Sequence, residues 1–303
     1  MNVGDAFAEF LRRLELDETY DKVVQDRHAA VRSVVEAGLP GVRTQLIGSL
    51  QRHTRIDPLK GLDGFDIDIL VELGAFERFV FAGGIKPDDA LIIVETPVAR
   101  SLRYRKMGAY EDQPTIIIPY TDGSKVEVVP AYRDAVPDHA PTGRAYWIPR
   151  NDRWVLADYD FDAQYIAGTN EACGKRLVPA IKMLRAWRRN RVDSLLRAYH
   201  LEVLAAASVP VVIAYYQQNG QVATWPRILA GFFACGIEAV KQSAKVPGSL
   251  SEAADYYLSP ETRVVLSSEM SNMANWAAEA SVAADSRAIE MWGAVFGKPF
   301  PGA

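Results

Sequence analysis

The segment that most constrains the fold runs from residue 65 to residue 73 of this 303-residue chain. Apolar side chains there alternate with Asp66, Asp68 and Leu70, which is the two-residue period of a β-strand. Aspartate is disfavoured in strands, and the rise per residue places these two carboxylates about 7 Å apart on one face. Two charges this close resist burial unless a cation lies between them. The alternative is a half-exposed strand on which both aspartates face solvent.

A third carboxylate stands in a second apolar segment, residues 125–130, where Glu127 lies between valines. If this segment is a strand that pairs beside the first one, Asp66, Asp68 and Glu127 converge on one point. Three oxygen donors with open coordination positions suit Mg²⁺, which keeps water ligands and binds substrate phosphates, with Mn²⁺ as the alternative ion. We therefore predict that these three acids bind a metal ion.

A glycine and a serine connect a predicted strand at 42–47 to a predicted short helix at 50–53. Gly48 lets backbone amides approach a phosphate, and Ser49 offers a hydroxyl at the start of the helix. Turns of this composition are also common in surface connections. The acidic strand that follows makes the pair informative, and we predict that both residues bind phosphate.

Helical and strand patterns divide the chain into two parts. The first forty residues have helical spacing, and strand patterns follow as far as about residue 156. Helical spacing then returns in four segments, residues 171–190, 193–208, 225–244 and 270–293. We predict an α+β fold, in which a mixed sheet with helices (residues 1–155, with a long N-terminal helical region) precedes a helical domain (residues 156–303) that closes a cleft.

Composition excludes several functional classes. A formal net charge of −4 argues against a broad nucleic-acid-binding surface, although it permits a local basic pocket. Cys173 and Cys235 stand outside any metal-binding spacing, which fits a reducing cytosol and leaves nothing for a structural zinc site. The longest apolar runs, such as residues 209–216, are too short to span a bilayer. We expect a cytoplasmic protein with no membrane partner.

Several short motifs occur in an order that resembles a known superfamily. This chain resembles the polymerase-β-type nucleotidyltransferase fold in the order of four motifs, Ile47-Gly48-Ser49, Thr54, Asp66-Ile67-Asp68 and Glu127-Val128-Val129-Pro130. Residues 177–187 resemble the lysine-bearing helix of oligoadenylate synthases and cyclic GMP-AMP synthase-like enzymes, and residues 198–202 resemble the helix that follows it. Residues 292–301 resemble the ending of the bacterial CD-NTases, which make cyclic oligonucleotide signals in anti-phage defence.

The resemblance implies a role for each residue that matches a motif. Gly48 and Ser49 would hold the β- and γ-phosphates of a nucleoside triphosphate, such as ATP. Asp66 and Asp68 would bind two Mg²⁺ ions, and Glu127 would bind the catalytic metal and help to deprotonate the attacking hydroxyl.

Two residues of the helical half also receive roles from the resemblance. Lys182 would neutralise the charge of the triphosphate, and it shares a basic helical stripe with Lys175, Arg185 and Arg189; the alternative is a solvated helix face. Tyr199 would stack on a nucleobase, and the alternative is packing in the core.

The sequence departs from the family pattern at two positions. Glu127 stands where many members have aspartate, and Ala198 stands where a triphosphate-contacting serine is expected, with Arg197 or Ser194 nearby to compensate. The zinc-binding cluster that animal cyclic GMP-AMP synthase uses against double-stranded DNA is also missing, so we expect no direct activation by DNA.

These expectations give one favoured function and two alternatives. The favoured function is the joining of nucleoside triphosphates into a cyclic di- or trinucleotide for CBASS anti-phage defence. The alternatives are a linear oligonucleotide synthase or a transferase with another acceptor, and a catalytically silent nucleotide-binding scaffold. The composition of residues 298–303 predicts a mobile tail. The resemblance also implies a defence-operon regulator or a conjugating partner at the C-terminus as partners, and the end Pro301-Gly302-Ala303 is compatible with the latter, as in some systems of this family.

Overall fold

A computed structural model of the protein describes residues 1–15, 18–58, 65–134 and 144–302. The α-helices are α1 Val3–Leu14, α2 Glu18–Gly38, α3 Gly48–Gln51, α4 Pro87–Arg100, α5 Leu102–Met107, α6 Tyr159–Ala172, α7 Leu177–Arg191, α8 Ala198–Gln218, α9 Trp225–Ala239, α10 Pro260–Val282 and α11 Asp285–Phe296. The strands are β1 Arg43–Ile47, β2 Asp66–Ala75, β3 Tyr110–Asp112, β4 Thr115–Pro119, β5 Lys125–Arg133, β6 Tyr146–Arg150 and β7 Arg153–Ala157. A short π-helical turn, Glu77–Phe81, follows β2.

The seven strands form one mixed sheet. Its main order is β1-β2-β5-β4-β3, and β6 and β7 continue from β5 by antiparallel pairing. β2 and β5 are the parallel pair in this sheet, because the chain between them passes through α4 and α5 and returns by the β3–β4 hairpin. The mixed sheet followed by a run of helices confirms the predicted α+β class.

The alternation in β2 has the predicted consequence. Ile67, Ile69 and Val71 are fully buried in a core that also includes residues from α2 and α4. On the opposite face the Asp66 side chain is 55% exposed. One face of β2 therefore builds this core; the other carries Asp66 and Asp68 at its start and then Leu70, which is buried in a smaller core with Ile47 and Val129.

Helices α6 to α11 surround a second core whose largest fully buried side chains include Trp187, Phe232, Phe233 and Trp292. The segment predicted as one helical stretch at 171–190 is divided between α6 and α7. Gly174 and Lys175 both have positive φ angles of 61°, a conformation that cannot continue an α-helix. The last predicted stretch is similarly divided between α10 and α11 at Ala283–Ala284, where the backbone becomes extended.

Two segments pack differently from the sequence prediction. The apolar residues of α1, including Phe7 and Phe10, lie in the core of the helical half and not against the sheet. The tail predicted to be mobile is packed as far as Pro301, because Phe300 is 1% exposed and its ring lies 5.2 Å from that of Phe7. Ala303 lies outside the described residues. The division of the chain near residue 156 stays a prediction.

Among the described helices, α8 is the one whose length and apolar composition could span a membrane. However, 61% of its most apolar stretch is buried inside the protein, as in a core helix.

Candidate active site

The register between β2 and β5 places the three predicted acids together. Asp68 lies directly opposite Glu127, and Asp66 lies opposite Lys125. Because both strands alternate with the same period, all four side chains point to the face that is not filled by the core. The strand pairing on which the convergence of the acids depended is thus confirmed.

Gly48 lies against the second of these acids. β1 pairs antiparallel with β2 so that Ile47 is opposite Asp68, and the chain then turns into α3 at Gly48, whose φ is +75°. A Cβ at this position would lie 1.9 Å from Oδ2 of Asp68, so any side chain here would displace that carboxylate. Only glycine combines this left-handed conformation with this approach to the carboxylate.

The acidic face carries strong negative charge. Burial raises the pKa of Asp68 to about 7, and the charges of Glu127 and Asp66 contribute to the increase. Burial also raises the pKa of Glu127 above its ordinary value. Carboxyl groups whose ionisation is disfavoured in this way are stabilised in their charged form by a bound cation. Carboxylates are also the hard oxygen donors that Mg²⁺ or Mn²⁺ prefers. The donor types present, three carboxylates, therefore suit a divalent metal.

A lysine lies among the acids. Nζ of Lys125 is 2.6 Å from Oε1 of Glu127 and 3.8 Å from Oδ1 of Asp66. In this arrangement, no three acidic, histidine or cysteine side chains of the described residues are close enough to share one ion. Lys125 was not singled out in the sequence, although its position two residues before Glu127 places it on the same strand face.

The acids open into a cavity of about 290 Å³, which we call the acid cleft, between the sheet and the helical half. It is lined by residues of both halves, including Gly48, Asp68, Glu127, Arg150, Arg197 and Tyr199. Tyr199 thus reaches the cleft, as the prediction of base stacking requires. Its hydroxyl donates a 2.6 Å hydrogen bond to Asp162, and the guanidinium of Arg52 lies 5.0 Å from the centre of its ring.

A second cavity, of about 320 Å³, adjoins the acids on the other side, and we call it the arginine cavity. Ser49 and Asp66 line it, whereas their neighbours Gly48 and Asp68 line the acid cleft. Its cations are four arginines, Arg55, Arg185, Arg188 and Arg189. Burial and the nearby charge of Arg185 lower the pKa of Arg55 to about 10. Because each positive charge disfavours protonation of its neighbour, an anion bound between these guanidinium groups would be stabilising.

Comparison with known proteins shows the family. The model of the Second Messenger Oligonucleotide or Dinucleotide Synthetase domain matches residues 1–156, which is more than half of the chain. The chain belongs to this family. By family membership this synthetase is a nucleotidyltransferase. No curated protein matches it by sequence.

Solved structures show that the synthetase has the fold of the bacterial CD-NTases, a polymerase-β-type core with a helical domain. CdnC of E. coli MS115-1, solved with ATP, is 13% identical with a TM-score of 0.69, over 100% of this chain and 99% of that one. CdnG of Bradyrhizobium diazoefficiens, solved with GTP, is 16% identical with a TM-score of 0.70, over 96% and 94%. The cyclic AMP-GMP synthase DncV of Vibrio cholerae, solved with the linear intermediate pppA(3′,5′)pG, is 15% identical with a TM-score of 0.64, over 86% and 70%.

Lys182 lies elsewhere in the synthetase. Its Nζ is 2.5 Å from Oε2 of Glu15, just after α1, and it lines neither cavity described above. The helix α7 instead directs Arg185, Arg188 and Arg189 toward the site. The helical stripe in the sequence included Arg185 and Arg189, and the Arg-Arg pair at 188–189 was the available signal for Arg188. Arg55 follows Thr54 in a loop, where no periodic pattern could identify it.

A buried ionic network joins the two halves behind the site. Glu202 of α8 is fully buried and accepts hydrogen bonds from Arg52 at 2.6 Å and from the hydroxyl of Thr54 at 2.8 Å. Arg185 of α7 lies 3.0 Å from the same carboxylate. The network fixes the end of α3, and thereby Gly48 and Ser49, relative to the helices.

Proposed function

We propose that this synthetase is a metal-dependent enzyme of the cytoplasm that joins nucleoside triphosphates into a cyclic di- or trinucleotide. Such a product would serve as a second messenger in CBASS anti-phage defence. The observation that carries the proposal is the parallel register that sets Asp68 opposite Glu127, with Gly48 closed against Asp68. The family description and the fold shared with CdnC, CdnG and DncV support the same function.

Nucleoside triphosphates fit the two cavities on either side of the acids. The arginine cavity offers four guanidinium groups next to the Ser49 hydroxyl, which suits the β- and γ-phosphates. The acid cleft offers the ring of Tyr199 to a nucleobase. Structures of CdnC with ATP and of CdnG with GTP support substrates of this class.

The reaction forms one bond to phosphorus and breaks another. A ribose hydroxyl of one nucleotide attacks the α-phosphorus of the next, and the bond from that phosphorus to the bridging oxygen breaks to release pyrophosphate. Glu127 accepts the hydroxyl proton, a role suited to a carboxylate whose pKa is raised by burial. Arg55 and Arg185 receive the charge that develops on pyrophosphate. The ring closes when the terminal hydroxyl of the linear intermediate attacks the α-phosphorus of its own 5′ triphosphate and a further pyrophosphate leaves, after one intermolecular transfer for a dinucleotide and two for a trinucleotide.

Asp66, Asp68 and Glu127 would hold Mg²⁺ or Mn²⁺, which when bound activates the attacking hydroxyl and neutralises charge on the leaving pyrophosphate.

The test is incubation of the purified protein with each labelled ribonucleoside triphosphate and with all four together, in Mg²⁺ or Mn²⁺. Phosphatase treatment and thin-layer chromatography follow, and Asp66→Ala/Asp68→Ala is the control. A phosphatase-resistant product that the control does not make is the expected result. It also identifies the bases that are joined.

The other outcomes separate the alternatives. A product from which phosphatase removes a 5′ triphosphate, so that its mobility changes, would indicate a linear synthase, and label on another molecule would indicate a transferase with a different acceptor. Binding of ATP with no product under any metal and base combination, in the presence of lysate from phage-infected cells, would indicate a silent scaffold.

A further inference from the structure

Lys125 is placed where it contacts the acids from their own strand face. It stands opposite Asp66 in the β2–β5 register and two residues before Glu127. Within the described residues, it supplies the ammonium of each salt bridge made to the three acids, at 2.6 Å from Glu127 and 3.8 Å from Asp66.

The ammonium and a divalent ion would compete for the same two carboxylates, those of Glu127 and Asp66. Oε1 of Glu127 cannot both accept the 2.6 Å hydrogen bond from Lys125 and bind a metal along the same direction. The lysine side chain is 35% exposed and sits on a flexible four-carbon stem, so it can leave without disturbing the sheet. Displacement costs the free energy of the salt bridge, and metal binding must supply it.

We propose that Lys125 is a removable counter-ion of the acidic site, which a divalent metal displaces when a nucleoside triphosphate binds. The inference rests on the proposed function, because it takes Asp66 and Glu127 as metal ligands. In the free protein Lys125 neutralises the acids and weakens binding of metal alone. When the triphosphate arrives with its metal, its negative charge gives the displaced ammonium a new partner. Lys125 thereby couples metal binding to substrate binding.

The experiment measures free Mn²⁺ by electron paramagnetic resonance during titration of the wild type, Lys125→Met and Arg133→Gln. Arg133 is the matched control, since it lies on the same strand and its salt bridge goes to Glu72. Each titration is done without nucleotide and with a saturating non-hydrolysable ATP analogue. Lys125→Gln is a second variant in case the methionine variant is poorly folded.

Without nucleotide, the Lys125 variants are expected to bind Mn²⁺ about tenfold more tightly than the wild type, equivalent to ~1.4 kcal/mol, whereas Arg133→Gln stays within about twofold. With the analogue, the wild type and the Lys125 variants converge. Equal affinities of the Lys125 and Arg133 variants without nucleotide would overturn the inference and leave the proposed function intact. If the wild type with analogue binds no more Mn²⁺ than Asp66→Asn/Asp68→Asn, the acids are not metal ligands, and both proposals fail.

Discussion

Arg52 and Glu202 form a buried ion pair across the two halves of the chain, with Nε of Arg52 2.6 Å from Oε2 of Glu202. Their side chains are 7% and 0% exposed. Arg52 immediately follows α3, and Glu202 belongs to the first turns of α8. Together with the contacts of Thr54 and Arg185 to the same carboxylate, this salt bridge links the turn at Gly48–Ser49 to the helical half.

Loss of the Glu202 carboxylate is expected to destabilise the protein strongly. Glu202→Ala leaves Arg52 and Arg185 buried without their anion, and breaking such a pair costs about 3–5 kcal/mol. Urea unfolding followed by circular dichroism measures the loss. The control is Glu238→Ala, which removes an exposed salt bridge to Lys241 and should change stability by less than about 1 kcal/mol. Equal losses in the two variants would mean that the network does not join the halves.

A methyl group at Gly48 is expected to abolish activity. Gly48→Ala combines the strain of a positive φ, about 1–2 kcal/mol, with a Cβ placed 1.9 Å from Oδ2 of Asp68. Gly41→Ala is a matched control, because Gly41 has a φ of +91° and its new methyl group would have no neighbouring atom within 4 Å. The same backbone strain should lower the free energy of unfolding of the control by a similar amount, but the control should keep nucleotidyl transfer. Transfer activity by Gly48→Ala above a tenth of the wild-type rate would contradict this geometry.

Stability without metal is expected to fall as the pH rises from about 4 to 8. The pKa of Asp68 is raised from its ordinary value of 3.8 to about 7, so the folded protein holds this proton more tightly than the unfolded chain. The resulting stability is complete below about pH 4 and is lost as the pH passes 7. At 1.36 kcal/mol per pKa unit, the free energy of unfolding falls by at most ~4 kcal/mol over this range. Because the Asp68 side chain is partly exposed, we expect a decrease of about 2 kcal/mol.

Urea unfolding in the presence of a chelator, over that pH range, measures the effect. Asp68→Asn should have a flatter profile, and Mg²⁺ should stabilise the wild type at pH 8 more than the variant. Parallel profiles would show that Asp68 is not the group responsible.

The arginine cavity predicts which cations bind the triphosphate. Arg189→Ala removes one guanidinium from the cavity and should raise the KM for nucleoside triphosphates about tenfold, as expected for a charge-assisted hydrogen bond. Lys182→Ala should change the KM by less than about twofold, since the ammonium contacts Glu15. Steady-state kinetics of pyrophosphate release gives both values. The reverse order of effects would restore Lys182 to the role that the resemblance implied.

The acids could be identified from the sequence because strand alternation is a local property. Asp66 and Asp68 share a face by parity, and Glu127 shares it once β2 and β5 pair. The parallel register was not predictable, because it depends on how α4, α5 and the β3–β4 hairpin bring the chain back beside β2.

The choice between Lys182 and Arg185 needed information that is not local. Both belong to one helical stripe, and the packing of α1 against α7 decides which of them reaches the cavity, since Glu15 at the end of α1 receives Lys182. The pattern of α1 likewise predicted an apolar face for Phe7 and Phe10 without showing that the other end of the chain would cover it.

The aromatic cluster of Phe7, Phe10, Phe296 and Phe300 packs α1 against α11 and the residues that follow it. At a synthesis rate of about 5–20 residues per second, Phe7 is added roughly 15–60 s before Phe300. Throughout that time the apolar face of α1 lacks its final partners, while the sheet and its own core, which need no residue of the C-terminal region, can already form. The core of the helical half can thus be completed only once residues 296–300 have been synthesised and have left the ribosome.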